Sequence, residues 1–226
     1  MGLSTKDLGT GSGLPKTISP GNHILKLNSI SLEDITFIDG AYHLMLHVET
    51  KPIDDFVGFF IDKDDESKGN YEGQIGRIKG SKYAFADGET KSGIKIQRDR
   101  SILIFLQNLC KTLDINEWFL GQDGKNETIE DFINSFNKCD LYKNKYMEYC
   151  VAGKEYLNNA GYVNHDLWLP KAEKGKYAIG GIEEGKVIHY NEELHLTPMT
   201  VVQVSKFGDD DDFTNAPKTS TDFNLD

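Results

Sequence analysis

Apolar and polar residues alternate in two stretches near the start of the chain. In HILKLNSI (23–30) Leu25 and Leu27 fall two apart, and in YHLMLHVET (42–50) Tyr42, Leu44, Leu46 and Val48 do the same. A period of two puts such side chains on one face of an extended strand. Asp39-Gly40 between them is a turn signal, so the two stretches are expected to pair as an antiparallel hairpin. FVGFFI (56–61), IGRIKGSKYAF (75–85) and GIKIQ (93–97) continue the strand pattern. The period changes at Arg98. In RDRSILIFLQNLCKTL, residues Ile102, Phe105, Leu106, Leu109 and Leu113 recur at helical spacing behind Asp99 or Ser101 as a cap, which predicts a helix over 99–113. A shorter helix is predicted from Thr128: Thr128 and Asp131 have the spacing of a capping pair, and Ile129, Phe132, Ile133 and Phe136 make one apolar stripe. Strand patterns return at 146–157, 162–169, 176–180, 186–190 and 195–207, with Pro198 restricted to an edge or a strand start.

Residues 1–20 are rich in Gly, Ser, Thr and Pro and lack apolar periodicity, so they read as a flexible leader. Residues 21–207 read as the folded domain and 208–226 as a disordered acidic tail. Strands, then a main helix between the third and fourth strand groups, then strands again: this order predicts a mainly β chain with minor α. The matching architecture is an OB-fold-like, five-stranded Greek-key barrel with extra hairpins. With 226 residues, 38 % of them hydrophobic, the chain has enough apolar volume for one packed domain. No window approaches the length of an apolar membrane span, and MGLSTKDLGTGSG has no signal or transit pattern. Lys6 stands where myristoylation at Gly2 would need Ser or Thr. Cys110, Cys139 and Cys150 form no CxxC pair, and an odd number argues against a disulfide framework. These features predict a cytoplasmic protein, in the host cytoplasm if the chain is viral.

Net charge is −11, which excludes a uniformly basic surface, but the charge is unevenly placed. Residues 209–226 carry six acids against Lys218, and 46–66 seven acids against two lysines, whereas 68–100 hold eight bases against four acids. Within that basic stretch cations interleave with rings: Arg77, Lys79, Lys82, Tyr83, Phe85, Lys95 and Arg98. Arg77 and Lys79 share one face of a strand, as do Tyr83 and Phe85. Cations that neutralise phosphates beside rings that stack on bases suit a single-stranded nucleic acid, each stacked base contributing about 1–3 kcal/mol. A second such stretch, 142–177, adds Tyr149 and Lys154, with Trp168 expected in the core.

The tail FGDDDDFTNAPKTSTDFNLD cannot pack, because its acids repel and it offers little apolar area. Asp209, Asp210, Asp211 and Asp212, with Phe213 and Phe223 as apolar anchors, have the chemistry to occupy the chain's own cationic groove and to dock on partner proteins. Together, PGNHILKLNSI, YHLMLHVETK, GQIGRIKGSKYAF, SILIFLQNLCKTL, YCVAGKEYL and the aspartate run resemble the bacteriophage-type single-stranded-DNA-binding proteins with an OB-fold, over about residues 20–212. The tail departs from the bacterial Asp-Asp-Asp-Ile-Pro-Phe ending and finishes in Asn-Leu-Asp. The resemblance implies sequence-tolerant coating of single-stranded DNA during phage DNA replication or recombination. It further implies no catalysis, no cofactor, and partner recruitment through the tail.

Two other readings stand beside this one. Asp39, Glu49 and Lys51 mimic the acid…(D/E)xK pattern of an Mg²⁺-dependent nuclease. Small barrels also serve as modules that bind oligosaccharides or build assemblies. His43 and His47, four apart on a strand, are separated by about 13 Å, too far for one tetrahedral ion, so no metal site is expected. No phosphate-binding loop or nucleophile motif is present.

Overall fold

The computed structural model describes residues 17–52, 73–159 and 161–199. In chain order its elements are β1 (Gly21–Asp34), β2 (Tyr42–Thr50), β3 (Ile75–Lys79), β4 (Gly88–Glu89), β5 (Lys95–Ile96), α1 (Arg98–Thr112), α2 (Asn116–Leu120), α3 (Ile129–Asn137), β6 (Tyr146–Leu157), β7 (Val163–Trp168), β8 (Ile179–Gly180), α4 (Glu192–His195) and β9 (Leu196–Thr197). The chain is mainly β with minor helix, as expected. Expected features at 1–16, 56–61 and 200–226, which include the third strand, the end of the last one and the acidic tail, lie outside the described residues.

Five strands close a ring of hydrogen bonds. β1 pairs with β2, β2 with β3, β3 with β7, β7 with β6, and β6 back with β1. All of these pairings are antiparallel except β3 with β7, which run parallel through Ile78 and Lys79 opposite Leu167 and Trp168. Alternation sends Leu25, Leu27, Leu44, Leu46, Val48, Ile78, Tyr149 and Val151 into one continuous core. The register of β1 against β2 shifts between Leu27 and Ser29, a bulge that bends the long strand so that its first half also reaches β6. Beyond β6, the free edge of β1 is satisfied by a side chain. Ile30 N–H donates to Asn137 Oδ1 and Asn137 Nδ2 donates to Ile30 O, both at 2.8 Å, so the end of α3 serves as a surrogate strand.

The helices pack on this ring through Ile102, Leu106 and Leu109 of α1 and Phe132, Ile133 and Phe136 of α3. α3 has the capping box read from the sequence: Asp131 N–H donates to Thr128 Oγ1 at 3.1 Å and Thr128 N–H to Asp131 Oδ2 at 3.2 Å. α1 is capped differently from expectation. Its N-cap residue is Gln97, which supplies no side-chain bond, and Asp87 Oδ1 accepts the Arg98 N–H at 2.8 Å instead. α2, which has no sequence signature, brings Trp118 edge-on to Phe132 and Phe136, with centroids 6.0 and 5.7 Å apart.

The leader expected over 1–20 ends earlier than predicted, because Ile18 is buried and Thr17 bridges Ile75. Two glycines make room for this segment. A Cβ at Gly76 would lie 2.7 Å from Ile18 Cγ1, and one at Gly153 2.6 Å from Pro20 Cγ. At the other end of the chain, β8 and β9 extend β6, each pairing with it opposite a ring strand. Segment 186–190, expected as a strand, makes one bridge, Val187 to Tyr177. Its adjacent Val187 and Ile188 cover Cys150 on the outer side of β6. Cys110, Cys139 and Cys150 are free and buried. No helix among the described residues is long and apolar enough to cross a membrane.

Candidate functional site

Strand alternation leaves an outer face over β1, β2, β3 and β7, and an open groove of about 760 Å³ lies along it. From β2 it receives His43, Met45 and His47, the residues of opposite parity to the core-facing Leu44, Leu46 and Val48. β3 contributes Arg77 and Lys79; β1 contributes Asn28, Ser29 and Glu33; β7 contributes Asn164 and Asp166. Tyr156 of β6 stands at one side, 42 % exposed, so its ring is available to a ligand.

The charges in the groove are paired. Arg77 Nη2 bonds Glu33 Oε1, and Lys79 Nζ donates to Asp166 Oδ2 at 2.7 Å. Asp166 also stands directly across the β6–β7 pair from Lys154. Nearby, Lys26 and Glu49 form a more buried pair at 3.2 Å, with Asn28 Nδ2 donating to the same carboxylate oxygen at 3.2 Å. Two histidines add neutral polar groups. His47 Nε2 and Ser31 Oγ are hydrogen-bonded at 2.8 Å, and His43 Nδ1 is buried with no partner among the described residues. Desolvation holds both imidazoles below their ordinary pKa. At His43 the neighbouring Lys79 pushes the same way and Asp166 opposes it.

Of the residues picked from the sequence, Arg77 and Lys79 meet in the groove and Lys154 stands at its margin through Asp166. The others do not join them. Lys82 Nζ lies 5.1 Å above the ring of the buried Trp168, a cation–π contact that covers the indole. Tyr83 is exposed in the segment after β3. Phe85 bridges Tyr42 through its backbone and packs edge-on to Phe105, with ring centroids 6.3 Å apart, so it belongs to the packing against the core. Lys95 lies opposite Glu89 in the separate β4–β5 hairpin.

Arg98 is a strut. Its guanidinium sits 4.4 Å from the Tyr42 ring centre, donates to Gly40 O at 2.8 Å and pairs with Asp99 at 2.6 Å, tying the β1–β2 loop to the start of α1. Tyr149 is fully buried and paired in register with His23 and Ile179, so its ring presents no face to a base. Asp209 to Asp212, Phe213 and Phe223 lie outside the described residues.

Sequence reasoning missed His43, His47, Glu33 and Asp166 as groove residues, and it left Tyr156 unpicked within the second basic and aromatic stretch. For Tyr156 the signal was present: it shares parity with Lys154, whereas Tyr149 does not. The nuclease constellation is not assembled. Asp39 precedes β2 and Glu49 is the last residue but one of it, and the seven steps from Tyr42 to Glu49 alone span about 23 Å of extended chain. Glu49 is held by Lys26, and Lys51 Nζ lies 5.6 Å from the Tyr146 ring centre. Among the described residues no group of three or more His, Cys, Asp and Glu is arranged to hold a metal ion. In comparisons with known proteins, the chain matches no family model, no curated protein and no solved structure.

Proposed function

We propose that this chain binds single-stranded DNA with little sequence preference, along the outer face of β1, β2 and β3, without catalysis, on a barrel of the OB type. The observation that carries the reading is the ring order β1-β2-β3-β7-β6-β1 with the groove on its β2–β3 face. The parallel β3–β7 closure and a helix inserted between β3 and β6 fit the same architecture. OB-type barrels take oligonucleotides on this face, flanked by the loop after the first strand and the hairpin between the last two. Here those flanks are residues 35–41 and the β6–β7 hairpin that carries Tyr156.

In this reading Arg77 and Lys79 meet phosphates and Tyr156 stacks on a base, while the histidines and Asn28 offer hydrogen bonds to base edges. The acidic tail, Asp209 to Asp212 with Phe213 and Phe223, competes for the groove and recruits replication or recombination proteins. Fluorescence titration of the full chain with oligo-dT and with a duplex of equal length, at two salt concentrations, tests the reading. Oligo-dT should bind tighter than duplex and lose affinity as salt rises. Duplex binding as tight as that of oligo-dT, or no binding to either, overturns it. The paired charges of the groove favour one second reading, a neutral oligosaccharide, for which oligosaccharide binding without oligo-dT binding is the signature.

A further inference from the structure

A groove built for a polyanion would be expected to leave its cations open, yet both cations on the groove face of β3 are engaged by carboxylates from other strands. Arg77 holds Glu33 of β1 and Lys79 holds Asp166 of β7. A carboxylate and a phosphate present similar paired oxygens to a guanidinium or ammonium, so each acid occupies the position that a backbone phosphate would take. Resting on the single-stranded-DNA reading, we propose that Glu33 and Asp166 are internal competitors for phosphate, so that DNA enters the groove by exchanging with these two carboxylates.

The geometry separates exchangeable pairs from a fixed one. The Glu33 and Asp166 side chains are 39 % and 45 % exposed, and partly exposed ion pairs are held weakly. Glu49, by contrast, is 10 % exposed and bonded by both Lys26 and Asn28, so it stays in place as part of the wall. Exchange also has a locating effect. A phosphate that displaces Asp166 lies beside Lys79 and close to Lys154 across the β6–β7 pair, whereas one that displaces Glu33 lies beside Arg77. The backbone of the strand is thereby directed along β3, past Tyr156. Among the described residues the groove's other acid contact is Glu155 with His165, 4.0 Å apart, and Glu155 also accepts the Met199 N–H at 3.1 Å, so that carboxylate is held in place.

The test uses the full chain with Glu33→Gln, Asp166→Asn, the double variant, and Asp140→Asn as a control. Asp140 is an exposed acid paired with Lys143 outside the groove, so its removal changes net charge by the same amount. One unit charge about 4 Å from a phosphate in water corresponds to about fivefold in affinity, so each groove variant should bind oligo-dT about fivefold tighter at low salt. The log–log salt slope should also steepen, by up to about 0.7 for each carboxylate removed, because an unaccompanied cation releases more of the counterions condensed on the strand. Asp140→Asn should leave both unchanged, and melting curves establish that all variants are folded.

Weaker binding in Glu33→Gln or Asp166→Asn means that the carboxylates position the cations, and it overturns the competition. Equal tightening in Asp140→Asn overturns it too, since the effect would then be net charge alone. Unchanged affinity in the groove variants, with the wild type binding oligo-dT, overturns the competition and leaves the single-stranded-DNA reading standing. Failure of both the wild type and the double variant to bind oligo-dT overturns that reading itself, and the competition with it.

Discussion

Tyr149 gives the sharpest contrast between a residue's type and its place. The sequence reading offers it to DNA, but the structure puts it wholly inside the ring, with its hydroxyl buried and without a hydrogen-bond partner among the described residues. Burial also pushes the phenol pKa up, since the anion would have no water to solvate it. Tyr149→Phe removes only the unpaired hydroxyl and keeps the ring that fills the core. An unpaired buried hydroxyl costs about 1–3 kcal/mol relative to its hydrated state, and the small void left by the oxygen returns part of that. A net stabilisation of about 1–2 kcal/mol follows, which for a chain of this size raises Tm by about 2–8 °C. Urea and thermal unfolding followed by circular dichroism measure it, and oligo-dT affinity should not change. A loss of 1 kcal/mol or more would refute the reasoning, because the hydroxyl must then be hydrogen-bonded inside the ring.

Tyr156→Ala, on the groove side of the same strand, should weaken oligo-dT binding by about 1–3 kcal/mol while leaving Tm nearly unchanged, the reverse of the Tyr149 pattern. The Arg77→Ala/Lys79→Ala double variant turns a groove with two paired cations into one with two bare carboxylates. Its salt slope should be shallower by up to about 1.4, reduced by whatever the carboxylates withhold in wild type, so the affinity gap from wild type should be larger at 50 mM than at 200 mM salt, by up to about sevenfold. Gly76→Ala forces a methyl group into the place of Ile18 and should destabilise by about 1–3 kcal/mol, read by chemical denaturation, with little loss if the segment before β1 can move aside. His43 and His47 have folded-state pKa values below 6.5, so the unfolded chain binds more protons and these residues cost stability increasingly as pH falls through 6.5. His43→Gln/His47→Gln should therefore lose less Tm than wild type between pH 7.5 and 5.5. A bound phosphate favours the imidazolium, so oligo-dT affinity of the wild type should rise over the same range.

What was legible in the sequence was local. The capping box and stripe of α3, the helical period of α1 and the alternation of β1 and β2 each lie within a few residues, where the backbone period decides which side chains share a face. A barrel could be expected from the order of elements, but the pairing that closes it was not legible, because β1 meets β6 across more than a hundred intervening residues and no local pattern encodes that partner. The groove suffered from the same limit. Arg77 and Lys79 could be placed on one face, but the acids that hold them arrive from β1 and β7, Asp166 lying 87 residues after Lys79. Arg98 and Lys82 look like free cations in a list of charges. Only the fold reveals the rings of Tyr42 and Trp168 beneath them.

The sign of the whole molecule matters less to ligand binding than this pairing does. At physiological ionic strength the Debye length is about 8 Å, so acids on distant surfaces contribute little to the potential in the groove, even in a chain of net charge −11. What a nucleic acid meets first is the local set of Arg77, Lys79, Glu33 and Asp166, which sums to zero. On the exchange proposed above, long-range steering by such a site is weak, and attraction develops only as the carboxylates give way at contact. Much of the affinity must then come from contacts that do not depend on salt, chiefly a ring such as Tyr156 against a base and polar groups such as Asn28 and the two histidines. On the proposed function, such a site is expected to hold unpaired bases in preference to a duplex, whose bases are stacked on one another and whose main offering is phosphate.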